Sequence, residues 1–165
     1  TVPSEGVVLV VQQVVFPELN ARDLMGERRQ LPDAFEGRRN IVFVAFRREQ
    51  QSDIDSWAPW LSVVATPAGI AHYEVPVIGR QWSPLRWMID GGMAVTIRNP
   101  EILQRTLTVY DDVKRVTAPL GIADRRTVHV FLVSRGGLVL DMVTGPYDQI
   151  KGERLLRSAL DGRDD

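Results

Sequence analysis

No cysteine occurs anywhere in the 165 residues, which excludes disulfides, thiol nucleophiles, thiolate metal sites and dithiol redox chemistry for this chain. The absence leaves the compartment open, because a cysteine-free protein survives in reducing and oxidising surroundings alike. Histidine is nearly as scarce. His72 and His129 are the only two; each falls in a strand-like stretch, and no ligand spacing joins them into a metal site. Excess charge of one sign is missing too: 20 basic and 21 acidic residues leave a net charge of -1, which gives no global field to draw in nucleic acid or an anionic membrane. The longest apolar run, Val7 to Phe16, is broken by Gln12 and Gln13 and is too short to span a bilayer. No secretory signal pattern is present. Numbering from Thr1 without Met is compatible with a cleaved leader, a trimmed chain or loss of the initiator. The expectation is a soluble protein, cytoplasmic rather than exported, without metal or other cofactor and without a nucleic-acid partner.

What is present is the profile of a globular protein, with 44% hydrophobic and 25% charged residues, long enough for one substantial core. No repeat, linker or low-complexity block divides it, so one domain over residues 1–160 is expected, with a fraying tail over 161–165. Val7 to Val15 reads as a strand covered on both faces. Leu19 to Leu24 and Arg29 to Leu31 are extended pieces around a turn at Met25-Gly26-Glu27, and Asp33 to Glu36 could form one helical turn closed by Gly37.

Ile41 to Phe46 is a short continuous apolar run, the pattern of a central strand in a layered α/β domain. After it, Ser52 or Asp53 can cap a helix with Ile54, Trp57, Leu61 and Val64 on its inner stripe. Pro59 falls inside that helix and should kink it. Ile70 to Ile78 is a further strand, whose end Pro76 demotes to an edge or an exit. Ser83-Pro84 marks a helix start, with Leu85, Met88 and Ile89 inward. Thr106 to Tyr110 reads as a strand and Asp111 to Ala118 as a helix, followed by the breaks Pro119 and Gly121. Val128 to Val133 and Leu138 to Val143 flank Ser134-Arg135-Gly136-Gly137, a clear hairpin signal. Gly145-Pro146 opens a closing helix with Tyr147, Ile150, Leu155 or Leu156, and Ala159 inward.

This order, with a proline-kinked helix after the first central strand and a terminal hairpin followed by a helix, resembles the thioredoxin-like fold in its thiol-reductase and peroxiredoxin branch. The resemblance implies a three-layer α/β sandwich, with a central mixed sheet, helices on both faces and an N-terminal strand and hairpin extension. In that branch a strand ending in Phe precedes a Cys-x-x-Cys motif, and a helix proline follows the first Cys by eight residues. Counting back from Pro59 places Gln51 and Ile54 at the two thiol positions. Trp57-Ala58-Pro59-Trp60 also echoes the residues before a thioredoxin site, a register that would place Leu61 and Val64 there instead; the first register keeps Phe46 at the strand end. The cis-proline expected before the hairpin strand is replaced by Val128. A closer resemblance is to the mitochondrial ATP synthase assembly factors of the ATP-ten type and their bacterial relatives. It rests on FVAFRREQQSDIDSW (Phe43 to Trp57), YEVPVI (Tyr73 to Ile78), IDGGM (Ile89 to Met93) and RTLTVY (Arg105 to Tyr110). This resemblance implies a redox-inactive binding or assembly module whose partner is a protein or peptide, such as a membrane-complex subunit.

The candidate binding residues are Arg47, Arg48, Gln50, Gln51, Asp53, Asp55, Trp57, Tyr73 and Glu74, gathered at the loop that replaces the thiol motif and on the strand beside it. Gln50, Gln51, Asp53 and Asp55 stand at a helix start whose free amides favour an anion or acceptor, although capping alone would also explain the two aspartates. Trp57, Trp60, Trp82 and Trp87, with Tyr73 and Tyr110, could line a groove or fill the core, and Trp60 stands off the apolar stripe as the candidate for exposure. The pairs Arg28-Arg29, Arg38-Arg39, Arg47-Arg48 and Arg125-Arg126 could meet a phosphate or an acidic partner or be solvated edges. The alternative to a binding module is an enzyme using Asp53, Asp55, Glu74 or His72 as acid or base.

Overall fold

The strand Arg39–Ala45 is buried at every one of its seven positions. Its sequence, RNIVFVA, is rich in β-branched and aromatic side chains, which suit a pleated surface covered on both faces. The computed structural model describes residues 13–78 and 100–161. In chain order its strands are Leu19–Arg22 (β1), Arg28–Leu31 (β2), Arg39–Ala45 (β3), Ala71–Ile78 (β4), Thr108–Tyr110 (β5), His129–Ser134 (β6) and Val139–Thr144 (β7). They form a seven-stranded sheet in the order β2-β1-β5-β4-β3-β6-β7. β3 runs parallel to β4, and β4 to β5, while the remaining pairs are antiparallel. The helices are Gln51–Asp55 (α1), Ala58–Trp60 (α2), Pro100–Arg105 (α3), Val113–Leu120 (α4) and Gln149–Leu160 (α5).

Alternation along the strands divides the core in two. Val42, Val44, Tyr73, Val75, Val77, Phe131 and Val133 face one side, with Val116 and Leu120 of α4 and with Phe16 and Phe35. Ile41, Phe43, Ala45, Val130 and Leu132 face the other, against Ile54, Trp57, Trp60, Leu61 and, from α5, Leu155 and Ala159. Helices therefore cover both faces of a mixed sheet, as expected. Among the described residues no helix is long and apolar enough to cross a membrane.

Several local expectations give way to particular contacts. The expected strand Val7 to Val15 lies mostly outside the described residues; its end, Val14 and Val15, is exposed rather than covered, with Val15 bridging Leu138. Asp33 to Glu36 does not make a helical turn. Residues 32–34 form hydrogen-bonded turns, and the buried Asn40 shapes the approach to β3 by accepting from the Gly37 amide and donating to the Gly37 and Val133 carbonyls. β1 stops at Arg22 because the buried Asp23 accepts from the Met25 and Glu27 amides and from Arg29 Nε.

Pro76 does not mark an edge: β4 lies between β3 and β5, and Pro76 is buried there opposite Ala45. Glu74 O accepts from Leu107 N, and strand alternation turns Pro76 toward the same neighbour. Its missing N–H thus falls between the Glu74–Thr106 bridge and the Val77–Val109 pair, where the ladder is interrupted. The closing helix starts at Gln149 rather than at Gly145-Pro146, because the Asp148 carboxylate accepts from Lys151 N and caps it. Ile150 is then 78% exposed instead of inward. The helix expected from Pro84, with Trp82 and Trp87, lies outside the described residues.

Trp60 reverses its expectation: it is 6% exposed, set edge-on to Trp57 and packed over Gly152 of α5. A Cβ at Gly152 would meet Trp60 Nε1 at 2.8 Å and Tyr147 Cε1 at 2.9 Å. Helix propensity favours Ala over Gly by about 1 kcal/mol, whereas overpacking costs roughly 1–3 kcal/mol. Gly152→Ala is therefore expected to lower the urea midpoint despite the better helix former. A raised midpoint would mean that the α5 to Trp60 contact yields easily.

Candidate functional site

The chain leaves β3 at Ala45 and turns into helix at once. Gln50 makes that turn: its side-chain carbonyl accepts from Phe46 N at 2.7 Å and from Arg47 N at 3.2 Å, while its amide donates to Arg125 O at 2.8 Å. With 3% exposure, this side chain joins two loops, the one after β3 and the one before β6. A short 3-10 turn, Arg48–Gln50, leads into α1. Neither Ser52 nor Asp53 is the cap, because the helical turn begins before both. Ser52 Oγ instead donates back to Glu49 O.

α1 ends after Asp55, and the chain resumes at Ala58 with Pro59 in the next turn. The break is what a proline in this helix requires, because its ring excludes the preceding turn's carbonyl and removes a donor. A π-helical turn comes next, over Leu61–Ala65.

On the outer edge of α1, Gln51 Nε2 donates to Glu74 Oε1 at 2.8 Å and to Asp55 Oδ1 at 3.0 Å. Thr106 Oγ1 reaches Glu74 Oε2 at 3.4 Å. Around this knot lies a hollow lined by Ala45, Arg47, Gln51, Ile54, Glu74, Pro76 and Thr106. The centre of a water-sized sphere can move within about 10 Å³ of it, the scale of a single water site.

The sequence candidates thus separate. Arg47, Gln51 and Glu74 share the hollow, with Asp55 bonded to Gln51 beside it. Arg48 and Asp53 lie on the same turn, Arg48 exposed and Asp53 half-buried. Gln50 lies beneath them as a tie. Trp57 is fully buried; its Nε1 donates to Gly145 O and its ring packs on Phe43, Trp60 and Tyr147. Tyr73 turns to the opposite face, where its hydroxyl accepts from Glu36 N. The aromatic groove does not form among the described residues, since Trp57 and Trp60 lie in one core layer and Tyr73 in the other. Thr106 and Pro76 were missed, and Arg125, expected only as part of a scattered arginine pair, is joined to the loop after β3 through Gln50. Strand alternation offered a signal for Pro76, two residues from Glu74, whereas nothing local signals the register that brings Thr106 to Glu74.

Electrostatics is governed by burial. Desolvation raises the Glu74 carboxyl above the ordinary carboxylate range and Asp55 pushes the same way, while the bonds from Gln51 and Thr106 pull down without cancelling the rise. His72, on the same face of β4, is held below the ordinary histidine value by burial and by Arg105. His129 is lowered by burial, against the Thr127 carbonyl and Asp124. Among the described residues no group of three His, Asp or Glu side chains could hold a metal ion.

No family model and no curated protein matches the chain. Solved structures do. Copper-bound yeast Sco1 superposes with a TM-score of 0.58 at 13% identity, covering 93% of this chain and 96% of that one. BsSco, a member of the Sco family of cytochrome c oxidase assembly proteins, gives 0.61 at 11%, covering 92% and 96%. A thioredoxin-family thiol:disulfide interchange protein from Chlorobium tepidum gives 0.56 at 14%, covering 91% and 98%. The chain has the thioredoxin-like fold. At these identities the likeness concerns the fold alone. Val128, the residue expected in place of that fold's cis-proline, directly precedes β6, is buried and accepts from Gly145 N. The cis peptide among the described residues is Leu31–Pro32, elsewhere in this thioredoxin-like domain.

Gln50→Ala leaves buried backbone groups of both loops without their partner, at a cost of about 1–3 kcal/mol for such a group, and should lower the urea midpoint. Glu74 supplies a second test. Because it binds its proton more tightly folded than unfolded, its contribution to stability falls as pH rises from the ordinary carboxylate pKa through the raised value, then levels. Glu74→Gln removes that fall. The variant should be the more stable protein near neutral pH and equal to the parent in acid, and parallel stability curves would contradict the assignment.

Proposed function

We propose that this chain is a redox-inactive binding module of the assembly or chaperone type, holding a protein or peptide at the surface around Arg47, Gln51, Glu74 and Thr106. The observation that carries the reading is Gln51. In a chain without cysteine, Gln51 opens α1, where the resemblance to the thiol branch would put sulfur, and its amide donates to Glu74 and Asp55. The hollow beside it is of water size, against roughly 300–1,000 Å³ for small-molecule pockets. That favours a polypeptide laid across the surface over an enclosed metabolite. An assembly role draws support from the Sco family and from the ATP-ten-type phrases, which suggest a membrane-complex subunit as partner. The copper of yeast Sco1 is not carried over, since the chain has no thiolate to offer it.

One observation favours a second reading. A half-buried carboxyl raised by desolvation, as Glu74 is, suits an acid or base. The size of the hollow and the engagement of both Glu74 oxygens place this reading second.

The test is capture of partners from native extract on immobilised full-length protein, comparing the parent with Gln51→Ala/Asp53→Ala. Trp57 is left intact, because truncating so buried an indole costs about 3–5 kcal/mol and confuses binding with unfolding. A protein retained by the parent and lost by the folded variant supports the reading. Equal capture by both refutes it.

A further inference from the structure

We propose that the Asp141 carboxylate closes a self-complementary sheet edge at β7, and that the strand this edge takes when opened is β7 of a second copy of the chain. The inference is independent of the surface around Gln51. β7 ends the sheet order, and its sequence, VLDMVT, carries a single charge. Such an edge pairs with other strands unless something blocks it. Antiparallel partners alternate between pairs that exchange ladder bonds and pairs that do not. Gly145 N donates to Val128 O, so along the same register Val130 and Val143 exchange bonds, as do Leu132 and Asp141, while Phe131 and Met142 do not. The Met142 N–H therefore faces away from β6, toward the open edge. Asp141 Oδ1 accepts it at 2.8 Å.

α5 holds the carboxylate in that position. Arg154 Nε lies 3.1 Å from both Asp141 oxygens and Arg154 Nη2 lies 2.7 Å from Oδ1, while Ser158 Oγ donates to Oδ2 at 2.7 Å. The Asp141 side chain is 9% exposed, so the acceptor on Met142 is a fixed group rather than a solvated one. A second outward amide, Val139 N, is taken by Val14 O beside the Val15 to Leu138 bridge. This edge thus already takes an antiparallel segment where no carboxylate intervenes. Symmetry argues for a second copy as the occupant of the rest. In an antiparallel pair of β7 strands centred on Met142, each Met142 N–H meets the Met142 carbonyl of the other copy, which faces the same edge. The Met142 side chain, 37% exposed, lies beside that axis.

The experiment is sedimentation equilibrium of the full chain, with far-UV circular dichroism to verify folding. Asp141→Ala should dimerise about tenfold more tightly than the parent, the scale set by regaining one or two backbone hydrogen bonds. Asp141→Asn keeps a side-chain oxygen for Met142 N and should match the parent. Asp141→Ala/Met142→Pro should also return to the parent's level, because proline removes the freed N–H at an edge position where no ladder bond is lost. Hydrogen exchange on the parent tests the same contact without mutation, and the Met142 amide should be protected although it faces the open edge. Association of Asp141→Ala no tighter than the parent's, dimerisation that survives Met142→Pro, polydisperse aggregate in place of a dimer, or a Met142 amide exchanging at the unprotected rate would each overturn the proposal.

Discussion

A strand with no exposed position is the constraint on which the rest of this structure depends. β3 is buried throughout, and a buried strand must find backbone partners on both edges and apolar cover on both faces. Parallel β4 and antiparallel β6 satisfy the edges. A parallel neighbour cannot be reached by a hairpin, so the segment between β3 and β4 must cross over one face as a helical connection. It does so with Ile54, Trp57, Trp60 and Leu61 turned to the sheet, joined by α5, while α4 covers the other face. The place where β3 emerges from this cover is where Arg47 and Gln51 come to the surface.

Two local devices, one polar and one steric, shape that exit. Gln50 converts strand to helix by satisfying the amides of Phe46 and Arg47, and in doing so fixes the loop before β6. Pro59 divides the crossover, so that α1 is one short segment whose outer edge carries Gln51 to Glu74. A buried amide with three partners is costly to disturb, because each group left unpaired in the interior loses its hydration as well as its bond. The loops after β3 and before β6 are thereby tied together from beneath.

The legible parts of the molecule were those that depend on local periodicity. The apolar run at Ile41 to Phe46, the hairpin signal at Ser134 to Gly137 and the apolar stripe through Ile54, Trp57 and Leu61 each reflect a period that burial imposes directly. The site was legible only in part. Gln51 and Glu74 were candidates, but their bond crosses from α1 to β4, and Tyr73 was grouped with Glu74 although a strand turns adjacent residues to opposite faces. Trp60 defied its position off the stripe because α5 places Gly152 against it, leaving room for an indole that the helix alone does not explain.

By itself the sequence determined what the chain cannot do, since chemistry needing a thiol is excluded by composition, and it determined the layered α/β character, since strand and helix periods arise from local geometry. The tertiary structure decided which residues meet. Gln50 with Arg125, Gln51 with Glu74, and Thr106 with Glu74 are pairings across elements. Their partners are set by sheet order and register, quantities that emerge only when both faces of β3 are covered at once.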